Sequence, residues 1–243
     1  MIKGIYSSAS GMLPRVLKQE TFANNMANVN TPGFKKDGVF LKMLDEATQK
    51  TIVTDHPWEV PMVDDVYIDF SQGDLEKTDS QTNFAIDGDG FFAVQTEFGT
   101  LYTRSGDFSL SPQGLLIDRN GNPVLTDSGP LTIQSDTFTV GDDGTVTVDD
   151  YAVGRIRVVD FERPYQMMKV GNSYIRPKDE AAVELPVANA RVRQGYLEKS
   201  NVNVVEVMVD MLSSFRIFEA GQKAIQAQDE TLDKAINELA RTP

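Results

Sequence analysis

The sequence predicts an α+β chain in which N- and C-terminal coiled-coil helices flank a central antiparallel β-domain of sandwich or open-barrel type. Three observations carry this. Residues 204–239 place apolar side chains at alternating four- and three-residue steps, and a shorter stripe of the same spacing runs from residue 5 to residue 29. Between them, residues 83–174 form short alternating runs broken by glycine and aspartate.

In the C-terminal run, Val204, Met208, Met211, Phe215, Phe218, Gln222, Ile225, Asp229, Leu232, Ile236 and Leu239 follow a heptad rhythm, with polar breaks only at Gln222 and Asp229. A helix of this length spans roughly 55–60 Å at 1.5 Å per residue. Ser200, Asn201 and Asn203 supply N-cap chemistry, and Arg241 with Pro243 closes the end.

At the N-terminus the stripe is Ile5, Ala9, Met12, Val16, Ala23 and Met26, with Gln19 filling the missing step. Pro14 lies inside it, so the firm helix is expected to begin near Gly11 or Pro14, leaving the first dozen residues loose. Asn24, Asn25, Asn28 and Asn30, followed by Thr31-Pro32-Gly33, stop the helix, and Phe34 reads as an anchor. Pro32 fixes its own φ and biases Thr31 toward extended geometry, while Gly33 is expected at positive φ in one sharp reversal. The β-domain core is expected to lie elsewhere, so that a substitution at Gly33 leaves its melting unchanged.

A lone amphipathic helix gains little from propensity, so the two ends are expected to pair. The C-terminal seam outlasts its N-terminal partner, and the surplus is left for other copies of the chain. Phe215 and Phe218, its largest apolar members, are expected to drive that assembly.

In the β region, alternation is plain in 137–140, 145–148 and 155–158, with turn chemistry at 87–90, 120–122 and 142–144. Phe91, Phe92, Phe98, Tyr102 and Phe108 read as core. The chain thus divides into an N-terminal helix and turn (1–35), a connector (36–81) with a short helix expected at 39–49, a β-domain (82–186), and a C-terminal segment (187–243).

The formal charge is -13, concentrated in residues 64–150, where seventeen acids face only Lys77, Arg104 and Arg119. Such a surface repels phosphate backbones and anionic lipid, which argues against nucleic-acid and membrane partners. No run approaches the ~20 apolar residues of a membrane span, and Met1 to Val16 lacks the continuous apolar core of a cleavable secretion signal. There is no cysteine, and His56 is the only histidine, which removes thiolate sites and multi-histidine metal shells.

Gly88-Asp89-Gly90-Phe91-Phe92-Ala93 has the letters of a dinucleotide fingerprint, but the residues after it continue as strand where a helix is required. Asp118 to Asn122 starts like a calcium loop, yet Pro123 stands where glycine is needed and Gly129 where the bidentate glutamate belongs. The pairs Asp64-Asp65, Asp142-Asp143 and Asp149-Asp150 read as turn markers, and Arg104 and Arg119 as ion-pair partners. No cofactor, metal or catalytic group is expected.

At the junctions the letters become specific. The run Asn24-Asn25-Met26-Ala27-Asn28-Val29-Asn30-Thr31-Pro32-Gly33-Phe34-Lys35 resembles the signature of the flagellar rod and hook protein family. The resemblance continues through Asn83 to Phe92, Tyr102 to Phe108 with Gly114, and Gln194 to Val202. Arg216, Glu219, Lys223 and Asp229 extend it along the final helix. The chain's length and the 215–219 run look more like the proximal-rod members than the distal-rod ones.

The resemblance implies a structural, non-enzymatic subunit of the bacterial flagellar basal-body rod, passing torque from motor to hook. It also implies passage through the flagellar type III export apparatus without signal cleavage, and assembly in the periplasm with copies of itself and other rod proteins. The residues expected to carry assembly are Asn24, Asn25, Asn28, Asn30, Thr31, Pro32, Gly33 and Phe34 at the turn, and Met208, Met211, Phe215, Phe218, Ile225 and Leu232 on the seam. A distal-rod or hook-basal-body paralogue is the near alternative. Two more distant ones are a β-domain binding module on a trimeric helical stalk and an acid-base hydrolase with two carboxylates in a cleft.

Overall fold

The structure is a computed structural model, and it describes residues 2–44, 60–135, 137–171, 173–179, 181–187 and 190–239. His56, Arg241 and Pro243 lie outside these residues. The chain forms two compact units, one of residues 1–27, 37–69 and 203–243, the other of residues 28–36 and 70–202.

The first unit holds helix α1 (Ile2–Ala27), strands β1 (Asp37–Leu44) and β2 (Val60–Ile68), and helix α2 (Val204–Leu239). The two helices pack on each other, as their stripes predict. α1 does not wait for Pro14, which sits buried inside the helix. The hydrogen bond that proline forfeits costs less than giving up the packing against α2.

The packed face of α1 is also turned by one position from the predicted stripe. Phe22 and Asn25 are buried at 8% and 2% exposure, while Ala23 is exposed and Val16 is 37% exposed. Asn203 caps α2, its Oδ1 accepting from the amides of Val205 and Glu206 at 3.1 and 3.3 Å.

The connector differs from expectation. Residues 39–44 belong to β1, which pairs antiparallel with β2 from Asp37↔Ile68 to Leu44↔Val60, and residues 45–49 lie outside the described part. Val39, Phe40 and Leu41 suit a pleated strand once a partner rich in valine lies alongside. Asp64 is the extra residue of a bulge between the Phe40↔Asp65 and Leu41↔Val63 pairs, so that pair of aspartates marks a bulge in the ribbon and not a turn.

The second unit begins with β3 (Leu75–Lys77), β4 (Phe84–Asp87), β5 (Phe91–Thr96), β6 (Gly99–Thr103), β7 (Phe108–Leu110), β8 (Leu116–Asp118), β9 (Leu125–Thr126) and β10 (Gly129–Pro130). It continues with β11 (Thr139–Val140), β12 (Thr145–Val148), β13 (Tyr151–Arg155), β14 (Val158–Asp160), β15 (Met167–Lys169), β16 (Tyr174–Pro177), β17 (Leu185–Pro186), β18 (Arg191–Gln194) and β19 (Tyr196–Glu198). All recorded pairings are antiparallel; the largest sheet runs β15-β16-β6-β5-β14-β17, with small sheets around it.

β5 reads Phe91-Phe92-Ala93-Val94 without a polar break because both its faces are covered. Phe92 points into a core shared with Phe84, Phe108, Leu116, Val124 and Val146, and Phe91 and Ala93 into a second shared with Tyr102, Val159, Phe161 and Ile175. Phe98 departs from the predicted aromatic core: it stands 87% exposed in the β5–β6 turn. The Asp142-Asp143 and Asp149-Asp150 pairs do lie in turns, the latter with both residues at positive φ.

Candidate assembly elements

After α1 the chain makes two successive tight turns, Thr31 N donating to Asn28 O at 3.1 Å and Phe34 N to Thr31 O at 3.2 Å. Thr31 Oγ1 also reaches Asn28 Oδ1 at 3.2 Å. Gly33 has φ +68°, the left-handed geometry that Pro32-Gly33 predicts. A side chain there would meet the Arg104 carbonyl carbon and the Ser105 nitrogen at 2.3 Å, so the position is closed by backbone as well as by φ.

The turn docks on the segment just before α2. Gly33 N donates to Glu198 O at 2.7 Å, Asn201 N to Phe34 O at 3.4 Å, and Lys36 N to Asn201 Oδ1 at 2.7 Å. Beneath lies a buried charge cluster. The Glu198 carboxylate, fully buried, accepts from Lys35 Nζ at 2.5 Å, Gly73 N at 3.0 Å and Arg104 NH1 at 3.2 Å, the two cations being only 4% exposed.

Lys35 Nζ also donates to Ser71 O, and Arg104 NH2 to Gly88 O, while the Arg104 guanidinium stands 5.3 Å from the centre of the Phe91 ring. Phe34 is buried with Lys169 Nζ 3.9 Å over its ring. The cavity left among these groups is about 10 Å³, too small for a ligand larger than water.

Asn25 plays a different part from the helix-end cap its position suggests. Its side chain brackets one residue of β1, Nδ2 donating to Asp37 O at 2.8 Å and Oδ1 accepting from Asp37 N at 2.9 Å. A buried amide thus completes a strand end. Asn24 and Asn30 are exposed, and Asn28 and Pro32 half-buried.

Along α2, the shielded positions are Val204, Val207, Met211, Ser214, Phe218, Gly221, Ile225, Gln228 and Leu232. The steps are three and four, not the predicted four and three. Met211, Phe218, Ile225 and Leu232 lie on this face as expected, but Met208 and Phe215 are each 50% exposed and their places are taken by Val207 and Ser214. Small residues win because they let α1 come close: a side chain at Gly221 would already touch Met12 Cγ at 3.4 Å.

Flanking this face on one side, at 100° per residue, lie Val205, Met208, Val209, Leu212 and Phe215, exposed by 50–69%. From Arg216 onward that side becomes polar, so the uncovered apolar strip is confined to the first three turns, roughly 15 Å.

Two clefts of about 260 Å³ open in the second unit. In one, Asp118 accepts from the Asn120 and Asn122 amides and from Tyr174 OH, which closes the 118–122 hairpin. The other holds Asp127, Asp143 and Glu184. Glu184 is taken by Tyr102 OH at 2.6 Å and by Arg157, and Asp143 by Thr145, whose side-chain and backbone donors hold its pKa below the usual range. Arg119 pairs with Asp107, as Arg104 does with Glu198. Among the described residues no three His, Asp or Glu side chains gather as a metal site.

Family models match where these elements lie: "Flagella basal body rod protein" over residues 5–35, "Flagellar hook protein FlgE/F/G D1 domain" over 85–148, and "Flagellar basal body rod FlgEFG protein C-terminal" over 193–238. The flagellar basal-body rod protein FlgF of Caulobacter vibrioides is 33% identical over 99% of both chains. The chain belongs to the flagellar rod and hook-basal-body protein family.

The flagellar hook-basal body complex protein FlhO of Bacillus subtilis is likewise 33% identical, over 99% of this chain and 100% of its own, and the rod protein FlgG of Buchnera aphidicola is 30% identical over 96% and 98%. As a member of this family the chain is a structural rod subunit of the flagellar basal body. The outer two family matches hold the parts of the chain that meet in the buried charge cluster, Lys35 in one and Glu198 in the other. Sequence reasoning marked Gly33, Phe34, Met208 and Phe215, gave Lys35 and Glu198 no role beyond the family resemblance, and missed Val205, Val209 and Leu212; their signal was the run of apolar residues on both flanks of Met208.

Proposed function

We propose that this rod subunit assembles axially through the outward face of α2, paired as a coiled coil with α1, and in the assembled rod transmits torque from motor to hook. The observation that carries this is the strip of Val205, Met208, Val209, Leu212 and Phe215, which the chain's own α1 leaves uncovered. Burying a side chain of this kind contributes about 1.5–3 kcal/mol, and contiguous exposed apolar patches on a helix mark interaction sites. The partners are copies of this chain and other rod proteins. The turn residues Asn24, Asn25, Asn28, Asn30, Thr31, Pro32, Gly33 and Phe34 serve assembly at the end of α1.

The role is structural and not catalytic, in keeping with the internal partners that hold the Asp118, Asp143 and Glu184 carboxylates. On this reading the chain reaches the periplasm through the flagellar type III apparatus without signal cleavage, in keeping with its membership of a basal-body rod family. Within the rod we assign it to the proximal type, supported by 33% identity to FlgF beside 30% to FlgG.

Because the chain has no cysteine, Leu212→Cys introduces a single thiol on the strip. Oxidation of intact cells carrying it, together with a matching thiol on the neighbouring face, yields a crosslinked pair of rod subunits. Recovery of monomer alone across all pairings on this face would overturn the reading.

A further inference from the structure

The strands that open the second unit find their partners at its far end. β4 pairs with β18 from Asp87↔Arg191 to Phe84↔Gln194, and β3 pairs with β19 from Lys77↔Tyr196 to Leu75↔Glu198. These pairings join residues 104 to 123 positions apart, and the Lys35–Glu198 contact joins residues 163 apart. Phe84, Ala85 and Ile86 are fully buried, and Val192 of β18 sits in the same core. Lys35 and Arg104 are buried against one carboxylate, that of Glu198.

We propose that residues 191–202 are the closing segment of the second unit. Until they are in place, β3, β4 and the 31–36 turn stay unfolded, and a chain delivered N-terminus first holds this unit open until nearly all of it has emerged.

Three physical arguments converge. Without β18 and β19, β3 and β4 lose their ladder partners, and buried backbone groups left unpaired are costly. Without Glu198, Lys35 and Arg104 lose the buried carboxylate they share, which strongly disfavours their burial. Closing loops of more than a hundred residues spends chain entropy before any long-range contact returns it, so closure is the late, limiting event. On the export route proposed above, late closure also supplies the unfolded state that passage through a narrow channel requires.

The test is pulse-labelled hydrogen exchange during refolding of the full-length chain, read by mass spectrometry. Amides of 84–87 and 191–198 gain protection in one kinetic phase. Protection of 84–87 in a phase during which 191–198 still exchange freely would overturn the proposal. A second measurement uses Val192→Ala, a mild truncation. It slows refolding of the unit by roughly tenfold and leaves unfolding nearly unchanged, as for a contact already made in the transition state; faster unfolding with unaltered refolding contradicts it.

Discussion

Lys35 and Glu198 form an ion pair at 2.5 Å, wholly inside the protein, although 163 residues separate them in the chain. Lys35 follows the Thr-Pro-Gly-Phe turn, and Glu198 ends the last strand before α2. One carboxylate thereby holds both exits of the second unit, with Arg104 as its other cation.

Glu198→Gln keeps the shape and removes the carboxylate charge that Lys35 and Arg104 share. Removing one partner of a buried pair costs about 3–5 kcal/mol. Urea unfolding is expected to lose stability in that range, and a loss below 1 kcal/mol would mean that water or another group already shares the charge.

Gly33→Ala meets two obstacles, the positive φ of +68° and Arg104–Ser105 backbone at 2.3 Å. Left-handed geometry alone costs a non-glycine residue about 1–3 kcal/mol, and the clash adds to it. The Gly33 turn belongs to the second unit, so the expectation that its melting is indifferent to this position is corrected. Melting of the β unit is predicted to fall, and an unchanged transition in the variant would refute the geometry.

Alkaline pH weakens the second unit through its tyrosines. Burial, and then the hydrogen bond it donates to Asp160, push the Tyr165 hydroxyl up to about 12, and burial with the bond to Glu184 pushes Tyr102 up as well. A raised pKa means that the fold favours the neutral phenol. Its contribution is full below the unfolded value near 10 and is lost as pH rises through about 12. Stability measured by denaturant between pH 9 and 12 should fall, and less steeply in Tyr165→Phe, which retains the ring against Phe70. Parallel curves for the two proteins would show that Tyr165 does not carry the effect.

Local chemistry was legible in the sequence, and pairing across the chain was not. Gly33 could be read because proline fixes φ and glycine admits positive φ, both within three residues. The turns at Asp142-Asp143 and Asp149-Asp150 were legible for the same reason. The Lys35–Glu198 pair was not, since nothing in either neighbourhood names a partner so distant. The α1–α2 pairing was visible as two stripes, but its rotation was misread. Val207 beside Met208 and Ser214 beside Phe215 each offer two seams, and weighting by side-chain size chose the larger residues where close helix approach takes the smaller. The connector misled because Val39 to Leu44 fits either period until β2 lies beside it.

The claim at the centre of this account is that the 205–215 face of α2, which α1 leaves open, holds the subunit in the rod. Phe215→Asp tests it, because Phe215 is half exposed in the single chain and its loss should leave both units folded. The measurement is the amount of this protein in basal bodies purified from cells that carry only the variant, with its unfolding curve as control. The account predicts wild-type unfolding and no incorporated subunit; a correctly folded variant present at the wild-type level would contradict it.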